Sequence, residues 1–297
     1  MELVSVIIPA HNEEKALGPV LDHIRRVMEQ SGHRFEIIVV DDGSTDATGQ
    51  VALDKGVRVL RHRRKRGAGA ARRTGVRGAH GDICVMIDGD GSYRVEDIPR
   101  LLACFPEADQ VVGARRTEAG SMPWLRRPTK WFIRQLACLL TGTRIPDLNS
   151  GLRAFKRDIM LKFLYLIPDG FSCVTTMTLT FLTNGYVVEY VPTDYYKRVG
   201  RSKFHPIKDT YNYLVTVLRI VLYFNPLKFF LPASLTLLIL GAIRFLYHAL
   251  VRHNVRESDI MIILTGILVG AVGLLADLIV TERRRTLVDT QPQERPQ

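Results

Sequence analysis

Short apolar runs alternate with amphipathic stretches along the first ninety residues. Residues 3–9 read as a buried strand, and residues 14–30 follow with apolar positions at helical spacing. Residues 35–40 predict a second strand, 46–54 a short helix, 57–60 a third strand and 68–79 another helix. Residues 83–87 form a fourth strand that closes on Asp88-Gly89-Asp90. This alternation predicts an α/β fold, a mostly parallel sheet with flanking helices. Beyond it the pattern loosens. It predicts a strand at 110–113, an amphipathic helix at 129–140, and a glycine-containing turn into a strand over 149–156. A helix at 174–182 follows, then a strand at 186–191 that stops at Pro192.

After Pro206 the pattern changes. Residues 207–224 mix Tyr, Leu, Val and Ile with Lys208, Asp209 and Arg219, as an interfacial helix does. Residues 229–251 and 259–280 are almost wholly apolar, each long enough to cross a hydrocarbon core of about 20 helical residues. Arg244 interrupts the first and reads as a cation snorkelling toward the interface beside Tyr247 and His248; Asp277 marks the end of the second. A buried hairpin in a soluble protein is the alternative. The expected organisation is a catalytic domain over 1–205, amphipathic helices over 206–228, two transmembrane helices over 229–281 and a tail over 282–297.

Charge sharpens this picture. The formal net charge of +11 is concentrated outside the apolar segments and suits an anionic membrane leaflet. Lys203, Lys208 and Lys228 precede the hairpin and Arg283-Arg284-Arg285 closes it. Its connecting loop holds Arg252 and Arg256, offset by Glu257 and Asp259. The positive-inside bias therefore predicts a cell-membrane protein with its large domain and C-terminus in the cytoplasm. The opening MELVSVIIPA has neither a basic n-region nor a cleavage site, so it does not read as a signal peptide. Cys84, Cys104, Cys138 and Cys173 are isolated, which predicts reduced thiols and no zinc site. The basic run at 61–66 reads as a loop in solvent or on lipid. Nucleic acid is not an expected partner, since no groove or aromatic platform accompanies the run.

Polar clusters follow three of the strands: His11-Asn12-Glu13, Asp41 to Asp46, and Asp88-Gly89-Asp90. Ligands of open α/β sheets bind outside the carboxyl ends of the strands, so all three clusters are expected in one crevice. Two carboxylates at i and i+2 past a buried strand can turn toward one hard cation, Mg²⁺ or Mn²⁺, whose remaining ligands come from donor phosphates. Gly89 and Gly91 permit the tight turn. Asp41, Asp42 and Asp46 have a competing role as turn and helix-cap residues, which best suits Asp46.

In order along the chain, VSVIIPAHNEE, VVDDGSTD, GAGAARRTG, GDICVMIDGDGSY, NSGLRAF and RVGRSK resemble family 2 glycosyltransferases of the GT-A (Rossmann-like) fold, within them the polyprenyl-phosphate, dolichyl-phosphate mannose synthase-like branch. The resemblance implies inverting sugar transfer from a nucleotide sugar, UDP- or GDP-linked, to a polyprenyl phosphate. By position it implies that Pro9, His11 and Glu13 bind the nucleotide end, that Val40 and Asp42 contact base and ribose, and that Asp88 and Asp90 hold the metal with Gly89 between them. Ser92 stands where the family often has Gln, and His11 where Tyr is frequent. Arg115 matches a phosphate-binding arginine shared by donor and acceptor, and Arg126, Lys130 and Ser150 match the acceptor-phosphate region. Lys197, Arg198 and Lys203 lie in a loop over the donor with Gly200 as its bend; Asp147, Asn149, Ser150 and Gly151 shape the pocket. A phosphate acceptor is already nucleophilic; were the acceptor a hydroxyl, Asp147 would be the base. Competing readings are a processive synthase, disfavoured by the missing QxxRW, a nucleotidyltransferase, and a catalytically dead membrane scaffold. The sugar, the lipid length and assembly into a homo-oligomer stay open.

Overall fold

The computed structural model describes residues 2–116, 134, 135, 137, 138, 141–170, 173–196, 215, 222 and 226–289, with side chains of the last helix to residue 282. Arg126, Lys130, Lys197, Arg198, Gly200 and Lys203 lie outside these residues, as do most of the helices expected at 129–140 and 207–224. The chain divides into two compact units, Met1–Val217 and Leu218–Gln297.

The first unit is built on seven strands: β1 (Leu3–Ala10), β2 (Arg34–Asp41), β3 (Arg58–Arg61), β4 (Ile83–Met86), β5 (Gln110–Arg115), β6 (Arg153–Lys156) and β7 (Val188–Thr193). Their order across the sheet is β3-β2-β1-β4-β6-β5-β7, parallel throughout except for β6, which is antiparallel to both of its neighbours. Strands buried on both faces must be apolar on both, and β1 shows it: Val4, Val6 and Ile8 enter one core while Ile7 enters the other. The first core is covered by α1 (Glu14–Ser31) and α4 (Ile98–Leu102). The second is covered by α3 (Ala68–Gly78), α5 (Arg157–Phe163) and α6 (Cys173–Thr183), while α2 (Thr48–Asp54) packs beside α1.

Among the described residues of this unit the expected strands and helices are present with ends shifted by one or two residues, with one informative departure. Pro192 lies inside β7, paired across from Ala114, where it was expected to end the strand. β7 is an edge strand, so the missing N–H of Pro192 leaves no ladder bond unmade. All four cysteines are free thiols.

The second unit is a hairpin of α7 (Leu227–Val251) and α8 (Glu257–Asp289), both long and apolar enough to cross a membrane. Only 11% of each spanning window is buried, whereas the core hairpin of a soluble protein would be mostly buried. Leu231, Leu235, Ile239, Leu268 and Leu275 instead present bare apolar surface of the kind that lipid covers. Close helix approach is made by small residues, with Ser234 donating to the carbonyl of Gly266 at 2.8 Å.

Arg244 is not the isolated snorkelling cation that its sequence context suggests. The hairpin returns Asp259 to it. Arg244 Nε donates to Asp259 Oδ1 at 3.1 Å, and His248 Nδ1 lies 2.5 Å from Oδ2 of the same fully buried carboxylate. Asp259 therefore serves as an interhelical clasp rather than a surface charge offsetting the loop. Replacing it with leucine strands Arg244 and His248 and is expected to lower the Tm of the hairpin. Thermal unfolding of the full chain in detergent checks this, and an unchanged Tm would refute the clasp.

Candidate active site

Six parallel strands place their carboxyl ends on one edge of the sheet. The antiparallel β6 brings the loop that precedes it, Asp147 to Leu152, to that same edge. The three expected clusters therefore share the edge with a fourth segment from far along the chain. The first two are tied together. Asn12, at a positive φ of 55°, donates its backbone N–H to Ser44 Oγ at 3.1 Å and accepts from Thr45 N at 2.9 Å. Glu13 N donates to Thr48 Oγ1 at 2.8 Å. Asp46 accepts from Thr48 N at 3.0 Å, a turn bond two residues on; the N-cap position of α2 is Ala47 and not Asp46.

Asp88 and Asp90 follow β4. The left-handed φ of 72° at Gly91 turns the chain after them. Asp90 is buried, and its Oδ1 accepts from Ser92 N at 3.0 Å and Ser92 Oγ at 2.5 Å. Ser92 thus orients Asp90 directly. Asp88 is about one-third exposed, and its Oδ1 accepts from Arg72 Nη2 at 2.5 Å. On the other side Gly151 packs so tightly that a Cβ there would lie 2.3 Å from Asp88 Oδ2. Tyr93 OH receives the Gly151 N–H at 2.6 Å, which fixes that turn. Burial pushes the Tyr93 phenol above its ordinary pKa, so it acts as a neutral acceptor.

Arg72 was not singled out by sequence, although GAGAARRTG was. It lies buried on α3, its second amino group directed at Cys173 Sγ at 3.4 Å. Burial opposes its charge, yet Cys173 and Asp88 more than offset that and hold its pKa above the ordinary value. Two carboxylates beside one permanent cation carry a net charge near −1. A divalent ion added to them leaves a modest positive charge facing a diphosphate. No group of three or more His, Cys, Asp or Glu side chains is clustered to hold a metal among the described residues. The oxygen-only pair Asp88 and Asp90 therefore suits a hard cation that takes its other ligands from phosphate and water.

Two site residues have their side chains engaged elsewhere. Val40 is fully buried in the core beneath α3, so its side chain cannot reach a base in the crevice. Asp42 is 3% exposed, and its carboxylate takes hydrogen bonds from the loop after β3: His62 Nδ1 at 2.7 Å, Arg66 N at 2.9 Å and Gly67 N at 2.7 Å. The five cations of the basic run are exposed, as expected of a loop in solvent or on lipid, and the loop is anchored through its histidine and backbone. His62 is buried at its centre, its Nε2 lying 2.9 Å from Thr74 Oγ1. Asp42 organises that loop instead of presenting a bare carboxylate. Pro9 and His11 remain on the edge of the crevice.

Arg115 ends β5 and makes a two-point ion pair with Asp147, Nε to Oδ2 at 2.7 Å and Nη2 to Oδ1 at 2.9 Å. Its guanidinium also lies over the Tyr195 ring, 5.3 Å from the centroid. Burial raises the Asp147 pKa, but hydrogen bonds and charge from Arg115 outweigh it and hold the carboxyl below the usual range. A carboxylate so stabilised is a weak base. Ser150 is fully buried and turns its Oγ to the Leu152 carbonyl at 3.3 Å, away from the acceptor role its position implies.

Comparison with known proteins agrees with this geometry. Residues 5–164 match the sequence family described as Glycosyl transferase family 2, and residues 225–281 match the GtrB C-terminal hairpin. Glycosyltransferase AglJ of Haloferax volcanii is 29% identical over 96% of this chain and 96% of its own length. Undecaprenyl-phosphate mannosyltransferase of Micrococcus luteus is 32% identical over 67% of this chain and 86% of its own. Among solved structures, glucosyl-3-phosphoglycerate synthase of Mycobacterium tuberculosis, crystallised with Mn²⁺, uridine diphosphate and glucosyl-3-phosphoglycerate, has the same fold. Its TM-score is 0.60 at 23% identity, over 74% of this chain and 80% of that one.

Proposed function

The chain belongs to glycosyl transferase family 2, and from that premise we propose that it moves one sugar from a UDP- or GDP-linked donor to a polyprenyl phosphate, with inversion, at the cytoplasmic face of the cell membrane. The observation that carries this reading is the union, in one chain, of an Asp88–Asp90 strand end flanked by the buried Arg72 guanidinium and a membrane-length hairpin. It is supported by the likeness to an undecaprenyl-phosphate mannosyltransferase.

The chemistry follows from charge. An oxygen of the acceptor phosphate attacks the anomeric carbon as the bond to the donor's β-phosphate breaks, and the nucleoside diphosphate leaves with the electron pair. A phosphate monoester with a second pKa near 6 is mostly dianionic at neutral pH, so no base is required. Mg²⁺ or Mn²⁺, held by Asp88 and Asp90, would neutralise the charge developing on the leaving diphosphate. Arg72 and Ser92 hold the two carboxylates in place. Arg115, oriented by Asp147 at the end of β5, would meet the phosphates. Arg126 and Lys130 supply the acceptor side, and Lys197, Arg198 and Lys203 the donor side. A hydroxyl acceptor would need a base, and the ion-paired Asp147 is poorly suited to be one.

The test offers a panel of radiolabelled nucleotide sugars to the purified full chain with polyprenyl phosphate and Mn²⁺ or Mg²⁺. One donor is expected to yield a single-sugar lipid, with kcat/KM rising from pH 5 to about 7 as the phosphate dianion forms and levelling above. Folded protein that consumes no donor under any condition would overturn the proposal, and polymer formation would redirect it to a processive synthase.

A further inference from the structure

Arg153, the first residue of β6, is among the largest fully buried side chains of the protein, and no carboxylate contacts it among the described residues. Its partners are neutral oxygens on two other segments. Nη2 donates to the Ser150 carbonyl at 2.5 Å; Nη1 donates to the Val174 carbonyl at 2.8 Å and to Thr178 Oγ1 at 3.2 Å on α6. Burying a guanidinium without an anion is costly, and a neutral side chain would fill the same space more cheaply. Burial, with Arg72 adding repulsion, pulls its pKa down to about 10, so the group still stays charged at neutral pH.

The two segments that Arg153 joins both lead to Asp88, one directly and one through Arg72. Ser150 immediately precedes Gly151, which abuts Asp88 Oδ2. Cys173, next to Val174 at the start of α6, faces the Arg72 that holds Asp88 Oδ1. A guanidinium is a rigid planar fork that can bind two such carbonyls at a fixed separation, which an ammonium cannot. Val112 of β5 is the register partner of Arg153, so the fork is seated on a central row of the sheet and not on a mobile loop.

We propose that Arg153 is a positioning residue for the metal-binding carboxylate: it seats the Ser150–Gly151 turn against Asp88 Oδ2 and the start of α6 against the Arg72 that holds Oδ1, so that one oxygen stays on Arg72 and the other faces the cation. The role of Ser150 is then to relay through its carbonyl, not to touch the acceptor phosphate. This rests on the proposed function, in which Asp88 and Asp90 hold a divalent ion.

The test measures Mn²⁺ binding by electron paramagnetic resonance on the full chain in detergent, alongside Tm and steady-state kinetics. R153K keeps the charge but loses the fork. It is expected to weaken Mn²⁺ at least tenfold and to lower kcat at subsaturating metal, with partial recovery of kcat at high Mn²⁺. Thr178→Val, isosteric and remote from the crevice, removes one acceptor and is expected to weaken Mn²⁺ two- to threefold while leaving Tm within a few degrees. Mn²⁺ affinity within twofold of wild type in folded R153K would overturn the proposal. If R153K does not fold, unchanged affinity in Thr178→Val overturns it instead. Wild-type protein that binds Mn²⁺ yet consumes no donor would sink the proposed function and leave this inference standing.

Discussion

Asp90→Asn is expected to fold normally and to lose on the order of 10³-fold in kcat, with Mn²⁺ binding reduced in parallel. The substitution suits the question because it removes charge and little else. Oδ1 of an asparagine still accepts from the Ser92 N–H and hydroxyl, so the turn after β4 keeps its hydrogen bonds. What disappears is one of the two negative charges offered to a hard cation, and a neutral amide is a weaker ligand for Mg²⁺ or Mn²⁺. With Arg72 beside Asp88, the remaining charge of the site falls from about −1 to near zero, and attraction for a divalent ion falls with it. Turnover within tenfold of wild type at equal Tm would show that these carboxylates do not serve the chemistry.

Gly151→Ala is expected to lower both kcat and Mn²⁺ affinity by about 10²-fold, an effect out of scale with one methyl group. The new Cβ would sit 2.3 Å from Asp88 Oδ2 and 2.8 Å from its carboxyl carbon, so one of the two must move. Neither moves easily. Asp88 is held by Arg72, and the turn is held through Tyr93 OH on Gly151 N and through Arg153 on the Ser150 carbonyl. The methyl therefore displaces the carboxylate from its place beside the crevice. Gly170→Ala is the control, because a Cβ there meets nothing within 4 Å, and it is expected to be silent. Equal activity in the two variants would mean that the turn yields without disturbing Asp88.

Much of the fold was legible because local pattern and burial agree. Strands β1, β2 and β4 are apolar on both faces, and the helices between them carry one apolar stripe. Helices α4 and α5 were not legible. The first is five residues long, starts at Ile98 directly after a 3₁₀ turn and has Pro99 second, and the second follows β6 with no linker, so neither shows a clear helical period. The acidic strand ends could be read as site residues because carboxylates after a buried strand have few structural uses. The partners of those carboxylates could not. Arg72 is separated by 16 residues from Asp88, and His62 by 20 from Asp42. Nothing in the spacing distinguishes either from the basic residues beside it, Arg73 and Arg61 to Arg66.

Periodicity, strand-end chemistry and the apolar C-terminal segments were enough to specify an α/β sheet, acidic strand ends on one edge and a membrane-length hairpin. Each is a local property, decided by which side chains follow one another. The insertion of β6, reversed, between β4 and β5 is a matter of long-range pairing, and it alone carries Asp147, Ser150 and Gly151 to the Asp88 edge. The return of Asp259 to Arg244 and His248 is likewise set by packing. Hydrogen bonds and close contacts depend on distances in space, and a linear chain leaves those distances undetermined until its cores have formed.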